Sequence, residues 1–377
     1  MSRLASRLSI LPRAIGHGLA TLGRRRPSSQ ARRILVAHHL RLGDTLMLTA
    51  LIAKLRARHP EARIVMTCPR SIAPLYATRP YGVEAIEFEP RDRSTLAGLY
   101  RVAEGGFDLA VIPGENRYAW LALALGARWI VAFSGEKPAY KNWPVDRLLA
   151  YPERPAAWGD MAAQLVEGAA PEPYRPADWP APSASQFEFP PLPYAVLHVG
   201  AGTPLRQWEG SKWRALAQWL TERGLSVVWS GGAGEARIVS EVDPEARYRS
   251  YAGKLDLPQL WSLLAQARLL VCPDTGVSHL GRIVGVPTLT LFGPGSAVLF
   301  GKGEFWRDSP YEAVTVEDFP CRDQRVLFRR EIAWVRRCGR SLDECPAPRC
   351  MQAIDETRVR ACAERLLEIE PGVRPLR

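Results

Sequence analysis

The chain has 377 residues, 47% of them apolar, and a formal net charge of +11. That length suits two domains, and that charge points to an anionic partner or surface. No apolar run reaches membrane-spanning length, no C-x-x-C pair occurs and no nucleic-acid module is legible, so an integral membrane protein and a nucleic-acid binder are set aside.

The first 33 residues carry Arg3, Arg7, Arg13, Arg24, Arg25, Arg26, Arg32 and Arg33 and no acid. Leu4, Leu8, Leu11, Ile15, Leu19 and Leu22 recur at spacings of three and four, which predicts one apolar helical face. Pro12 is expected to kink that helix or to start a second one. A basic amphipathic segment of this kind suits a membrane interface, with a disordered basic tail as the other reading. Arg13 interrupts the apolar part, which argues against a secretory signal, while a transit peptide shares the composition and stays open.

Strand and helix then alternate. Strands are predicted at Ile34–Ala37, Arg63–Cys68, Ala85–Phe88 and Asp108–Ile112, with a helix over Thr45–Leu55. This is the doubly wound parallel pattern, in which ligands sit at the carboxyl ends of strands. Asp44 falls at such an end, either as a helix cap or as a site carboxylate. A further helix is predicted from Trp158 to Gly168, followed by a stretch to Pro193 crowded with Pro, Ala and Ser that reads as a linker.

The pattern then repeats. Tyr194–Val199 and Leu225–Trp229 read as strands, and Lys212–Arg223 reads as a helix with Ser211 as its cap. Gly202, Thr203 and Arg206 lie in a loop that can cradle phosphate. Glu235 stands either as a ribose-binding acid after a Gly-rich turn or as a solvated first-turn acid. Leu269–Cys272 is a short apolar strand running into Asp274-Thr-Gly276 and a helix that contains His279. The amides at that helix start form an anion site, and Asp274 is either its cap or a carboxylate for sugar hydroxyls. Cys321, Cys338, Cys345 and Cys350 fall close together in a basic tail, and a structural metal there is the lesser reading because the spacing lacks a C-x-x-C pair. Asp355 to Ile369 reads as a final helix.

Three segments together resemble the heptosyltransferases of glycosyltransferase family 9. They are Ile34–Leu55 with Leu42-Gly-Asp-Thr45, His198–Trp208, and Val271–Pro294 with Asp274-Thr-Gly276, His279 and Leu291-Phe-Gly-Pro294. The likeness runs from about Arg33 to Leu367. It implies an α/β chain of GT-B architecture, with two facing Rossmann-like domains, a cleft between them and domain closure. The boundaries expected are a basic extension over 1–32, an acceptor-binding domain over 33–170, a linker over 171–193, a nucleotide-sugar domain over 194–350 and a C-terminal helix and tail over 351–377.

The resemblance also implies an inverting transfer from an ADP-heptose type of donor without a catalytic metal or other cofactor. Asp44 would be the general base. Thr203 and Arg206 would hold the diphosphate, Glu235 the ribose and the backbone near Leu255 the adenine. Asp274 would meet sugar hydroxyls, with Thr275, Gly276 and His279 completing the phosphate site. Arg206 departs from the family's usual Lys, a fork of donors in place of a point charge, and Lys212 is the second candidate for that position in another register of the loop. The implied partners are the donor, an anionic lipopolysaccharide-core glycolipid and a membrane surface met through the N-terminus, at the cytoplasmic face of a bacterial inner membrane. Arg70, Arg117, Lys137 and Lys141 either meet acceptor anions or form a solvated basic surface. Two other readings stay open, an isomerase of nucleotide sugars and a non-catalytic nucleotide-sugar-binding scaffold.

Overall fold

The computed structural model describes residues 3–369 except 22, 24, 29 and 318, with side chains from residue 10 onward. The chain forms two compact units. Unit 1 comprises Met1–Glu172, Asp178–Pro182 and Arg325–Val335, and unit 2 comprises Pro173–Ala177, Ser183–Gln324 and Arg336–Arg377.

Unit 1 opens with α1 (Arg3–Ala20), one helix that carries Pro12 inside it, so no second helix begins there. Then come β1 (Arg33–Val36), α2 (Leu42–Met47), α3 (Thr49–Arg58), β2 (Arg63–Cys68) and β3 (Val83–Glu87). The expected single helix over Thr45–Leu55 is therefore two, joined at Leu48, and it starts three residues early. Next are α4 (Arg93–Val102), β4 (Leu109–Ile112), α5 (Arg117–Ala124), β5 (Ile130–Phe133), β6 (Arg147–Leu149) and α6 (Trp158–Ala163). The last is shorter than the expected helix ending at Gly168. The six strands are parallel in the order β3-β2-β1-β4-β5-β6. Leu35, Val65, Ala110 and Ile130 belong to a core under α4 and α5.

Unit 2 runs β7 (Tyr194–His198), α7 (Gly210–Glu222), β8 (Ser226–Ser230), α8 (Ala236–Val242), β9 (Arg249–Ser250), α9 (Leu257–Gln266), β10 (Leu269–Pro273), α10 (Gly276–Val284), β11 (Thr288–Phe292), α11 (Ala297–Phe300) and β12 (Tyr311–Thr315). Its six strands are also parallel, in the order β12-β11-β10-β7-β8-β9. Read from β9, the order matches that of unit 1 strand for strand. Both are doubly wound sheets that reverse direction once, between β1 and β4 and between β7 and β10, and such reversal points open the crevice where ligands bind. Glu209, not Ser211, stands at the cap position of α7, and Ser211 lies within the helix.

A short antiparallel pair follows, β13 (Val326–Leu327) with β14 (Arg330–Glu331). Sequence periodicity gave no warning that this hairpin belongs to unit 1, and its placement there rests on Arg330. That guanidinium is 1% exposed and donates to Gly114 O at 3.0 Å, Ser134 O at 2.9 Å and Asn116 Oδ1 at 2.6 Å. It also lies 3.2 Å from Glu136 Oε2, whose other oxygen takes Lys141 Nζ at 2.7 Å. Gly114 and Ser134 lie within two residues of the ends of β4 and β5, so the hairpin fills the carboxyl edge of those strands. The chain closes with α12 (Arg349–Gln352) and α13 (Glu356–Glu368), the latter capped by Asp355 and packed into the core of unit 2 through Val359, Cys362 and Leu366.

Candidate active site

In unit 2 the loop after β7 and the turn after β10 flank the reversal point. Thr203 caps a one-turn helix, Pro204–Arg206, accepting from Leu205 N at 3.4 Å. That turn aims Arg206 across the crevice, where Nη1 donates to Asp274 O at 2.6 Å and Nη2 lies 3.5 Å from Asp274 Oδ2. Lys212, the second candidate, is engaged elsewhere. It donates to Gln352 O at 2.5 Å and Ile354 O at 3.2 Å, so it fastens the C-terminal segment and does not face the site.

Asp274 does not cap α10. Thr275 does, its Oγ accepting from Val277 N at 3.1 Å, while Gly276 supplies the first amide of the helix. Asp274 is released for other work, 3% exposed and with its Oδ2 buried without a hydrogen-bond partner. Burial raises its pKa, opposed by Arg206, Arg337 and Arg282. A buried carboxylate oxygen left open costs on the order of 1–3 kcal/mol, a cost that a ligand hydroxyl would relieve. Gly295 makes the arrangement possible, because a Cβ there would lie 2.1 Å from Asp274 Oδ2.

His279 is buried on α10 with Nδ1 in contact with Arg282 Nη2. Burial, then Arg282 and Arg206, push its pKa well below the usual range, so the ring is neutral. A guanidinium only donates, so Nδ1 accepts and the proton sits on Nε2. His279 thus offers a ligand one N–H and no charge. Arg282 itself went unread in the sequence. Its signal was an Arg three residues after His279 on an otherwise apolar helix, and it also donates to Phe300 O at 3.1 Å. Arg337 was missed for lack of any local pattern.

The acid side of the site sits after β8. Glu235 occupies the cap position of α8 without capping it, and Oε2 accepts from Gly232 N at 2.6 Å. It is a half-buried cover over the loop after β7, since a Cβ on Gly200 would lie 1.8 Å from its Oε2. Gly253 N donates to Gly231 O at 3.0 Å, which joins this turn to the segment holding Leu255, half-buried one residue before the Asp256 cap of α9. The structure therefore brings Thr203, Arg206, Asp274, Thr275, Gly276 and His279 to one crevice edge, with Glu235 and Leu255 along the neighbouring strands.

In unit 1, Asp44 lies in the first turn of α2, half-buried, and Arg41 holds the cap position without a side-chain bond. Asp44 is thus no N-cap. His38, unread in the sequence, stands at the root of the same loop. Its Nδ1 accepts from Leu40 N at 3.2 Å, its Nε2 is buried without a partner, and burial with His39 nearby pushes its pKa down to about 3. Of the basic loop residues, Arg70 is tied to Glu87 and Asp92, and Arg117 to Glu115. Lys141 is buried on Glu136 and is neither a surface charge nor an acceptor contact, whereas Lys137 is exposed.

The four clustered cysteines carry free thiols. Burial raises the pKa of Cys350, helped by the neighbouring Cys321 and Cys338 and opposed by Arg322. Among the described residues, no three His, Cys, Asp or Glu side chains gather as a metal ion would require.

Two doubly wound units, one with hydroxyl and anion groups at its reversal point, define the GT-B class of α/β protein. The profile of Glycosyltransferase family 9 (heptosyltransferase) matches residues 100–321, and the chain belongs to that family. It is 28% identical over 237 residues to lipopolysaccharide heptosyltransferase 1 of Pseudomonas aeruginosa, an alignment over 59% of this chain and 62% of that relative's length. The structure of E. coli ADP-heptose lps heptosyltransferase II superposes with a TM-score of 0.66 at 20% identity, covering 89% of this chain and 98% of that one. The iron-containing dodecameric glycosyltransferase TibC from enterotoxigenic E. coli gives 0.56 at 14% identity, over 90% and 80%. At such identities the two structures speak to the fold.

Proposed function

We propose that this chain transfers a heptose from an ADP-linked donor to a lipopolysaccharide-core glycolipid, with inversion and without a catalytic metal. The observation that carries the reading is the open Oδ2 of Asp274, held beside Arg206 and the start of α10. A carboxylate with a free lone pair selects a hydroxyl donor, and the cation and helix amides select an anion. A sugar diphosphate carries both.

The acceptor hydroxyl is a weak nucleophile, and Asp44 takes its proton as the new bond forms. Charge develops on the departing diphosphate, where Arg206, Thr203, the Gly276 amide and the Nε2–H of His279 stabilise it. Those donors stand in for a metal ion. A single displacement with one base inverts the anomeric centre. Glu235 serves the ribose and the segment at Leu255 the adenine. Membrane work follows from a lipid-borne acceptor and places the enzyme peripherally at the cytoplasmic face; among the described residues no helix is long and apolar enough to cross a membrane.

The test is calorimetry with ADP-heptose, ADP-glucose and a UDP-sugar, followed by turnover with a core glycolipid fragment. Preference for ADP-heptose, lost in Asp274→Ala, supports the reading. Preference for another nucleotide sugar removes the heptose, and binding without turnover on any acceptor returns the scaffold reading.

A further inference from the structure

α1 docks through its small residues and not through its large apolar ones. It lies on α5 through small residues, with Ala14 fully buried and a Cβ on Gly18 placed 3.6 Å from Leu123. Leu11, Ile15 and Leu19 are left outside at 44%, 48% and 69% exposure, four residues apart and so on one flank of the helix. Such a stripe on an otherwise docked helix has no partner within unit 1.

The other flank meets a cavity of about 390 Å³ against the body of unit 1. Arg13, His17 and Arg128 line it, with Tyr100 beneath Arg13 at 3.9 Å and Gly105 and Gly126 holding it open. No acid lines it. Outside the lining, Asp108 lies 3.7 Å from Arg128 and already accepts from the backbone of Arg32 and Arg33. His17 Nε2 is buried there without a hydrogen-bond partner. Beyond the helix, Arg25 donates to Pro144 O at 3.1 Å, beside Trp143, which is 74% exposed. Cations within reach of phosphate, an apolar stripe and an exposed Trp are the three elements of an interfacial anchor.

We propose that α1 seats unit 1 on a bilayer rich in anionic phospholipid, with Leu11, Ile15 and Leu19 in the acyl boundary and a headgroup phosphate in the cavity of Arg13, His17 and Arg128. The occupant is a lipid surface and not a protein helix, because two arginines and no acid line the cavity and residues 1–32 contain seven arginines and no acid. The proposal extends the reading of a glycolipid acceptor, and it stands or falls without any sugar transfer.

Co-sedimentation of the full chain with phosphatidylcholine vesicles, with and without phosphatidylglycerol, tests it with no donor or acceptor present. Binding to the anionic vesicles is expected, reduced at least about tenfold by Arg13→Glu with Arg128→Glu, and by a similar factor by Ile15→Asp with Leu19→Asp. Both positions of the second pair are exposed, and circular dichroism checks that helix content is kept. Arg237→Glu, an exposed position of unit 2, should change little. Equal binding to neutral vesicles overturns the phosphate site. Binding indifferent to the Asp pair overturns the insertion, and full competition by millimolar inorganic phosphate reduces the cavity to a free-anion site and overturns the docking. Failure of every arm leaves the donor titration above untouched, so the two readings fail separately.

Discussion

Units 1 and 2 share one strand order, yet their reversal points are furnished in opposite ways. In unit 2 the crevice is bordered by groups held ready and incompletely used. Asp274 keeps an open oxygen, and Arg206 reaches across from the loop after β7. In unit 1 the edge of β4 and β5 is filled from far along the chain, by the hairpin whose Arg330 consumes the acceptors there. What stays open in unit 1 is the loop after β1, with His38 at its root and Asp44 beyond. The same topology therefore furnishes a candidate ligand site in one copy and a plugged edge beside one carboxylate in the other. Strand order places a crevice, and side chains decide whether it is available.

The comparison can be broken at several points. Asp44→Asn should lower kcat by about 10²- to 10⁴-fold with donor affinity nearly intact, measured by turnover and by calorimetry on the same preparation; retained turnover would mean that unit 1 holds no base. Arg330→Ala should destabilise unit 1 by about 3–5 kcal/mol, because it strips a buried counter-ion from Glu136. Urea unfolding followed at both units is the measurement, and a shift spread equally over both would contradict the assignment of the hairpin.

A gentler variant, Gly200→Ala, sharpens the case for unit 2. The atoms nearest the added methyl all belong to the tip of Glu235, a side chain able to swing away. Stability should fall by no more than about 1 kcal/mol, while donor affinity drops if Glu235 holds the ribose; unchanged affinity would free Glu235 of that role. The smallest effect is one of pH. The pKa of Asp274 is raised in the folded chain, so the folded state binds protons more readily than the unfolded one. Relative to Asp274→Asn, the native protein should gain stability as pH falls from that raised value toward the ordinary carboxylate range, and no further below it. Thermal melts of both proteins across acid pH check the sign.

Much of this was legible because it is local. A short apolar run broken by Asp274-Thr-Gly276 announces a strand, a turn and a helix start within a dozen residues. Whether Asp274 or Thr275 caps that helix was not legible, because the two differ by one residue and only backbone geometry separates them. Arg330 was out of reach for a different reason. Its partners Gly114 and Asn116 lie more than two hundred residues earlier, and nothing in a basic hairpin states where it will be buried. In α1 the periodicity announced a shared apolar face but not what would hold the helix down. Ala14 and Gly18 make the approach to α5, and Leu11, Ile15 and Leu19 stay outside.

The seating of residues 325–335 bears on any attempt to make chimaeras. An exchange of the first unit at the Pro-rich stretch would carry Glu136 and Asn116 into the hybrid while the resident hairpin stayed with the other parent. Two foreign surfaces would then have to match at a fully desolvated guanidinium. A graft designed as three pieces, with the hairpin travelling alongside the sheet it completes, keeps that junction native and moves the cut sites to solvent-facing loops.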